Sequence, residues 1–445
     1  MPFVFLKYLQ PTHYFRLKNL KGDTVFPKVE ALPESVLEKL EQDSNYQSSH
    51  AKDYDVSWQA IQLGYIGDAE TYQSFNKVPV YDNYRFIRKH FHKAWVLYVL
   101  LLRVLSLHNP IKEIVAFVKT RHISRKLATL QPIPYEDYTS FESNLLASKP
   151  LVSVVIPTLN RYAYLKNVLK DLEQQTYTNF EVIIVDQSEP FNPDFYKAFK
   201  LDIKYINQKE KALWLARNTA IKHANGKLIA LSEDDVRIKP DWIEAHIRCL
   251  DFFQVQVSAG VFYPEGQNIP NDRAFFSVAS QFATGNAMLY KKVFNIVGLF
   301  DRQFEKQRMG DGEFGIRLFL KGIQSVSNPD ASCVDVKAGV GGLREMGSWD
   351  AFRPSTFLAP RPIPSVIYFF RRYFGKKATR RALWRTVPMS VFPYQFKKNK
   401  AMLILAGVLS LVIAPVICFQ VYRSWKLASI KLKQGPIIEK LSENH

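Results

Sequence analysis

The chain has 445 residues, of which 47% are hydrophobic and 14% aromatic, and its formal net charge is +19. This composition excludes a disordered chain and a collagen-like chain, and the length allows two or three domains. The three cysteines, Cys249, Cys333 and Cys418, show neither a zinc-binding spacing nor a disulfide framework, which indicates a reducing compartment. We expect no signal peptide, because the first residues lack a long apolar run before a cleavage site.

Residues 1–130 form an N-terminal extension whose role the sequence does not reveal. Aromatic and polar residues mix there without clear periodicity, and Asp53–Asp55 and Pro79 suggest loops and short strands. Ala94–Leu107 is apolar but too short for a confident membrane span, so it predicts a buried or interfacial helix. Residues 131–150 contain three prolines and are predicted to be a linker.

Residues 151–350 alternate short apolar runs with segments of helical spacing. Runs that are apolar on both faces and alternate with helices predict a parallel sheet that is covered on both sides. The ligand site of such a sheet lies beyond the carboxyl ends of its strands. The four apolar runs are VSVVIP (Val152–Pro157), EVIIVD (Glu181–Asp186), IKYI (Ile203–Ile206) and KLIALS (Lys227–Ser232).

Polar side chains follow the predicted strands, and three consecutive acids follow the fourth. Three adjacent carboxylates repel one another unless a cation lies among them, and such oxygen ligands suit Mg²⁺ or Mn²⁺. An acidic turn in solvent is the alternative, but a helix start at Lys239–Trp242 directly after the acids favours a binding site. The strand-end residues are Thr158, Asn160, Arg161, Asp186, Glu233, Asp234 and Asp235.

Six motifs of this region occur in one order: VSVVIPTLNR, EVIIVD, LARNTAI, ALSEDDVRIKPDW, ATGNAMLYKKVFNIVGLFD and GDGEFGIRLFLKG. Together they resemble the family 2 glycosyltransferases of the GT-A fold, over about residues 150–342. The resemblance implies an α/β domain with a Rossmann-like, mostly parallel sheet flanked by helices. It also implies a nucleotide-diphosphosugar as the donor substrate.

The resemblance implies roles for the residues at the donor. Thr158 and Asp186 match the residues that hold the base and ribose, and Arg217 in LARN lies beside the nucleotide. Glu233 to Asp235 correspond to the DxD motif, with Glu in place of the first Asp. Asp235 is then the direct ligand of Mg²⁺ or Mn²⁺, although a register shifted by one would give these roles to Ser232 and Asp234. The remaining implied positions are Asn160 and Arg161 at the nucleotide and Asp335 as a second metal ligand.

The resemblance also implies a catalytic base. Asp311 in GDGEFGIRL matches the acid that takes the proton from the acceptor hydroxyl, and Glu313 is a reserve candidate because Gly310 replaces the first acid of the usual pair. We expect Gly310 and Gly312 to allow a close backbone approach and a positive φ. Alternatively, both acids only favour the start of a helix. Secondary positions are Gly285 and Asn286 on the acceptor side, and Lys337 and Arg344 near the leaving diphosphate.

The C-terminal quarter carries most of the positive charge. Residues 351–438 contain sixteen Lys or Arg and no Asp or Glu. Residues 351–400 are predicted to be a basic amphipathic region that binds an anionic membrane surface. Ala401–Tyr422 has no charged residue and predicts either a transmembrane helix or a re-entrant helix bent at Pro415. Residues 423–445 are predicted to be a basic tail.

These features together predict an inverting, metal-dependent, non-processive glycosyltransferase at the cytoplasmic face of the inner membrane. The acceptor would be a glycan or a lipid-linked molecule in cell-envelope glycan synthesis. An inactive membrane scaffold with the same fold is one alternative, because Gly310 and Ser232 stand at positions that are acidic in the family and Glu233 replaces an Asp. A nucleic-acid-binding protein is a weaker alternative, since the positive charge is confined to one end of the chain. The sequence does not identify the donor base, the sugar or the acceptor.

Overall fold

The computed structural model describes residues 1–125, 131–279, 282–338, 351–354, 356–393, 396 and 399–441. The predicted site residue Arg344 lies outside this part of the chain. The helices are α1 Leu6–Leu9, α2 Glu34–Leu37, α3 Ser49–Gln62, α4 Val80–His90, α5 Lys93–Leu105, α6 Pro110–Lys119, α7 Asn144–Ala147, α8 Tyr162–Glu173, α9 Leu213–His223, α10 Trp242–Phe252, α11 Val293–Val297, α12 Gly310–Leu320, α13 Pro364–Thr386, α14 Lys400–Val412 and α15 Ala414–Gln434. The strands are β1 Val152–Thr158, β2 Phe180–Asp186, β3 Ile203–Asn207, β4 Leu228–Ser232, β5 Val236–Ile238, β6 Val257–Pro264, β7 Ser277–Val278, β8 Asn286–Tyr290 and β9 Ser325–Asp335.

The chain divides into two compact units. The first comprises residues 1–135 and 370–388, and the second comprises residues 136–369 and 389–445. This differs from the predicted division, which placed 370–388 in a separate basic region and 131–150 in a linker. Tyr138, for example, is buried in the second unit against the ring of Phe252.

The first unit is helical, and aromatic side chains fill its core. The rings of Phe3 and Phe86 stack with centroids 3.8 Å apart. Asp53–Asp55 lie inside α3, so the prediction of loops and short strands was wrong there. The sequence pattern hid this helix because α3 buries the charge of Asp55, whose carboxylate pairs with Lys89 at 2.5 Å.

The basic segment 370–388 packs within the first unit through cation–π contacts. The Arg381 guanidinium lies 5.5 Å from the centroid of the Tyr8 ring, and that of Arg385 lies 5.4 Å from the centroid of the Trp95 ring. Such contacts are favourable because the ring face carries partial negative charge. This packing explains why the segment belongs with the N-terminal residues.

A nine-stranded sheet organises the second unit. Its order is β3-β2-β1-β4-β8-β6-β9-β5, with β7 paired to β9. Strands β1 to β4 are parallel to one another, as predicted, and β8 is antiparallel to both of its neighbours, β4 and β6. Six of these nine strands run in the same direction, and every residue of β1 is buried. The predicted α/β architecture with a mostly parallel sheet is confirmed.

The C-terminal helices are bent. Within the described part of the chain, no single helix is long and apolar enough to cross a bilayer. Helices α14 and α15 pass that test of length and composition together, but an 87° bend separates them. The bend falls at Ile413, two residues before Pro415. Pro415 lies in the first turn of α15, where proline is tolerated because the missing N–H needs no helical partner.

The residues that follow α15 pack on the sheet domain. The backbone N–H of Leu299 donates to the carbonyl of Glu439 at 2.8 Å, and that of Arg302 donates to the carbonyl of Ile437 at 3.1 Å. Lys222 also forms an ion pair with Glu439. The described part of the predicted basic tail is therefore a structural element of the second unit.

Candidate active site

The ends of β1 and β4 bring polar side chains together. Thr158 ends β1, and its Oγ1 donates to Asp234 Oδ2 at 2.7 Å. Arg161 follows β1, and its Nη1 donates to Asp234 Oδ1 at 3.1 Å and to Asp235 Oδ2 at 3.0 Å. This convergence at the carboxyl edge of parallel strands is what the sequence pattern led us to expect. The two acids share one guanidinium, which offsets their mutual repulsion.

Four carboxylates of this edge influence one another. Burial raises the pKa of Asp234 to about 7, although the Arg161 charge acts in the opposite direction. Asp335 ends β9, and burial together with the charges of Asp235 and Glu233 raises its pKa. The backbone N–H of Ala338 donates to Asp235 Oδ2 at 3.1 Å, so the segment after β9 also touches this cluster. A positive charge among these carboxylates is therefore favourable.

The donor set has the right chemistry for a hard divalent cation. Asp235 and Asp335 supply carboxylate oxygens, which Mg²⁺ and Mn²⁺ prefer, and a cation would relieve the repulsion that raises the pKa of Asp335. Among the described residues, no three His, Cys, Asp or Glu side chains are arranged closely enough to hold a metal ion. In this arrangement the Arg161 guanidinium supplies the positive charge instead.

Glu233, the first acid of the motif, lies between a buried arginine and a glycine. The Nη2 atom of Arg217 lies 3.4 Å from Glu233 Oε1, and the Arg217 side chain is fully buried. A Cβ atom added to Gly285 would lie 2.6 Å from Glu233 Cγ. Residue 285 therefore has to be glycine for Glu233 to keep this position.

The predicted base lies at the start of α12. Asp311 is partly exposed, and its Oδ1 accepts hydrogen bonds from both the hydroxyl and the backbone N–H of Thr284. Thr284 immediately precedes Gly285, which packs on Glu233. A short path of contacts thus joins the base candidate to the acidic motif. The sequence analysis missed Thr284, although a hydroxyl residue directly before Gly285 and Asn286, the positions implied on the acceptor side, was a signal.

The reserve candidate Glu313 is in a different environment. Its side chain is fully buried, and both of its carboxylate oxygens accept from Arg317 Nε, at 2.9 and 3.0 Å. The same guanidinium donates to the backbone carbonyl of Leu299 at 3.0 Å. Glu313 therefore holds the arginine that joins α12 to the loop before it, whereas the Asp311 carboxylate is partly exposed.

Gly310 is explained by packing. A Cβ at this position would lie 2.2 Å from Cζ2 of Trp214, whose Nε1 donates to the carbonyl of Phe304 at 3.0 Å. The expected close approach is therefore real, but the expected positive φ was wrong: the left-handed residue is Met309, at φ 83°. At Gly312 the nearest atom would lie 3.8 Å away, so nothing there requires glycine.

Asp186 faces the interior. Its Oδ2 accepts from the hydroxyls of Tyr162 at 2.6 Å and Tyr196 at 2.8 Å, and its Oδ1 accepts from the N–H of Ser188 at 2.9 Å. The sequence analysis missed both tyrosines, since they come from α8 and from the loop after β2. The exposed Asn160 joins the two strand ends, because its backbone N–H donates to Ser188 Oγ at 2.8 Å.

Asn286 is also an interior residue. Its Oδ1 accepts from Trp242 Nε1 at 2.8 Å, and its Nδ2 donates to the carbonyl of Ala331 at 2.8 Å. His246 lies 3.1 Å from the same Oδ1, and burial lowers the pKa of His246 to about 4. The structure thus places Asn286 in the core, whereas the Asp311 carboxylate is partly exposed. Lys337 is exposed just after Asp335.

Glu305 is a further residue that the sequence analysis missed. Its carboxylate accepts the backbone N–H groups of Trp214 at 3.1 Å and Leu215 at 2.8 Å, at the beginning of α9. These N–H groups have no partner within the helix, and a carboxylate there also interacts favourably with the helix dipole. Glu305 therefore fixes the helix that carries Arg217.

Comparison with known proteins agrees with this geometry. Residues 153–301 match the sequence model of glycosyl transferase family 2. The chain carries a family 2 glycosyltransferase domain. The resemblance seen in the sequence is therefore confirmed, and this is a family of enzymes that transfer sugars. The match includes Thr158, Asp186 and Glu233 to Asp235, and it ends before Asp311 and Asp335.

Individual relatives match part of this chain and part of their own length. The chain is 26% identical over 162 residues to glycosyltransferase GlyA of Streptococcus pneumoniae, covering 36% of this chain and 22% of that protein. It is 30% identical over 145 residues to the chondroitin synthase of Escherichia coli, covering 32% and 21%. The chain thus spans about a fifth of the length of these relatives.

Among solved structures, the chain is similar to a mannosyltransferase from Pyrobaculum calidifontis in complex with GDP-Man and Mn²⁺. The identity is 15% and the TM-score 0.44, over 66% of this chain and 91% of that one.

Proposed function

We propose that this protein transfers a sugar from a nucleotide-diphosphosugar to an acceptor hydroxyl, with inversion at the anomeric carbon. The observation that carries the proposal is the Asp311 carboxylate, which is partly exposed at the start of α12 and oriented by two hydrogen bonds from Thr284. It lies on a short path of contacts from Glu233, in a domain whose family transfers sugars.

The proposed reaction transfers one proton, forms one bond and breaks another. Asp311 accepts the proton of the acceptor hydroxyl while the hydroxyl oxygen forms its bond to the anomeric carbon. The bond from that carbon to the diphosphate breaks on the opposite face, and the nucleoside diphosphate leaves with the bonding electron pair. Thr284 keeps the Asp311 carboxylate in one orientation, which contributes to the rate through positioning.

We infer a divalent cation at the acidic motif. Asp235 and Asp335 would hold Mg²⁺ or Mn²⁺, and the bound ion would neutralise charge on the diphosphate. Arg161 holds Asp234 and Asp235 together and carries a charge suited to a phosphate oxygen. The hydroxyl of Thr158 donates a hydrogen bond to Asp234, so this part of the acidic motif is held in place before the donor binds.

We further propose that the protein acts at the cytoplasmic face of a membrane on a glycan or lipid-linked acceptor. The support is α14, in which the side chains of Ile404, Leu411 and Val412 are each more than 70% exposed. Exposed apolar surface of this kind marks a contact with lipid or protein. Nucleotide sugars are made in the cytoplasm, and the name of one relative, a chondroitin synthase, refers to polysaccharide synthesis.

A donor screen tests the function. The purified full chain is incubated with a panel of uridine, guanosine, cytidine and thymidine diphosphosugars, with Mg²⁺ or Mn²⁺, and release of nucleoside diphosphate is measured. We expect release from one class of donor, and its loss in EDTA. Absence of release from every donor, with folded protein and membrane lipids present as acceptors, would favour the inactive scaffold.

A further inference from the structure

Helices α5 and α6 of the first unit present an apolar surface to the outside. The two helices are consecutive and contact each other. Their outward side chains recur every three or four residues, as expected for one face of each helix. We call this surface the hairpin face. Its members are between 45% and 94% exposed. They are Leu97, Leu101 and Leu105 of α5, Leu107 in the turn between the two helices, and Ile111, Ile114, Val115 and Val118 of α6.

The inner side of the same two helices carries buried charge. Arg103 Nε donates to Glu113 Oε1 at 3.0 Å, and the Tyr84 hydroxyl donates to Glu113 Oε2 at 2.9 Å. Arg103 and Glu113 are both buried. A water-soluble helix normally shows the opposite pattern, with charge outside and apolar side chains inside. The pattern therefore indicates that the hairpin face meets an apolar environment.

The charge around the hairpin face identifies that environment. Within residues 91–125 the only Asp or Glu is Glu113, which is buried. Every exposed formal charge of the segment is therefore positive, which disfavours a second copy of the same face as the partner and favours an anionic one. The exposed cations are Lys93, Lys112, Lys119, Arg121 and Arg125.

We propose that the hairpin face binds an anionic lipid bilayer and lies in its interface. Helix α5 has 13 residues, too few to cross the hydrocarbon core, so its apolar side chains enter the outer part of one leaflet. The surrounding cations then face the lipid headgroups. This gives the N-terminal extension a role in membrane binding that does not depend on α14 or on sugar transfer.

A fluorescent probe at single cysteines tests the proposal in the full chain. Leu101→Cys and Ile111→Cys, each with Cys418→Ser, carry an environment-sensitive dye, and Lys39→Cys in the same unit is the control. Vesicles contain equal amounts of phosphatidylcholine and phosphatidylglycerol, with a nitroxide quencher on the lipid chains. We expect a blue shift and quenching at 101 and 111, none at 39, and weaker effects with phosphatidylcholine alone.

A second pair of variants separates this face from any binding by the C-terminal helices. With the dye at 111, Leu101→Glu with Leu105→Glu should reduce lipid quenching about tenfold, since charge is costly in the interface. The matched control Leu20→Glu replaces a leucine that is also exposed, outside the hairpin face, and should keep the quenching. Because all three leucines are exposed, these variants should fold.

Two results would overturn the proposal. In the first, the dye at 101 and 111 shows neither a blue shift nor lipid quenching although the chain sediments with the vesicles. Other segments would then bind the membrane. In the second, the dye becomes shielded without vesicles as the protein concentration rises, which would make the hairpin face an interface between copies of this chain.

Discussion

Asp311 and Glu313 lie two residues apart on α12, yet they have different surroundings. Residues at this spacing point to different sides of a helix, so one carboxylate lies at the surface and the other inside. Thr284 orients Asp311, whereas Arg317 pairs with the buried Glu313. The sequence shows both acids but not which one is buried. For that reason it left two candidates for the base, of which we propose Asp311.

Replacement of Glu313 should affect stability. Glu313→Ala leaves the buried guanidinium of Arg317 without its anionic partner, which we expect to lower the free energy of unfolding by about 3–5 kcal/mol. Urea denaturation followed by circular dichroism measures this. Lys321→Ala, an exposed change at the end of the same helix, is the control and should change the free energy by less than about 0.5 kcal/mol. An unchanged midpoint for Glu313→Ala would contradict this structural role.

Replacement of Asp235 should affect donor binding. Asp235→Ala removes a carboxylate that we propose as a cation ligand, so metal-dependent binding of the donor should be lost, as it should in wild-type protein with EDTA. Isothermal titration calorimetry measures both. Asp194→Ala, an exposed acid elsewhere in the domain, is the control. Tight, EDTA-insensitive donor binding by Asp235→Ala would refute the metal role.

At the scale of elements, strands β1 to β4 could be predicted, and the second half of the sheet could not. The first four strands are β-branched, apolar runs that end at polar residues. Strand β9 contains Asn328, Pro329 and Asp330, so its sequence does not resemble a strand. Asn328 is nevertheless buried, because its Nδ2 donates to the carbonyl of Ala245 at 3.0 Å. Such pairing depends on tertiary contacts that no local pattern reveals.

The contact between α9 and α12 explains why an acid is missing beside Asp311. Trp214 of α9 occupies the space that a side chain at Gly310 would need. The sequence alone made this glycine an argument for an inactive scaffold. Packing supplies a different reason, since the indole also donates to the carbonyl of Phe304. The glycine is then compatible with activity.

Two glycines of α12 offer a matched test of this packing. Gly310→Ala should destabilise the protein by about 1–3 kcal/mol, because its Cβ meets the Trp214 ring. Gly312→Ala should be neutral or stabilise by up to about 1 kcal/mol, because the space is open and alanine favours helices. Thermal unfolding of both variants checks this, and equal melting temperatures would contradict it.

At the scale of the whole molecule, the compact units divide the C-terminal segments differently from the limits predicted from the sequence. Charge and hydropathy divided residues 351–445 into a basic region, an apolar helix and a tail. In the structure, 370–388 belong to the helical unit, and residues 437–439 pair with the backbone of the sheet domain. These contacts depend on backbone geometry and on cation–π pairs, which composition does not encode. A deletion after Lys400 would therefore damage the family 2 domain as well.

Substitutions test the membrane proposal for α14 without that damage. Ile404→Glu with Leu411→Glu introduces two charges into an exposed apolar face, which should lower the membrane-bound fraction of the full chain. Cell fractionation at low salt measures the fraction, and Leu20→Glu is the control. Wild-type protein that stays in solution at low salt without detergent would contradict membrane attachment as a whole.

Catalysis by Asp311 is the central claim, and one comparison tests it most directly. Asp311→Asn keeps the shape of the side chain but removes its ability to accept a proton. With the donor found in the screen, we expect nucleoside diphosphate release to fall by about 10²–10⁴-fold while the affinity for the donor, measured by calorimetry, is unchanged. Release at the wild-type rate by Asp311→Asn would contradict the account.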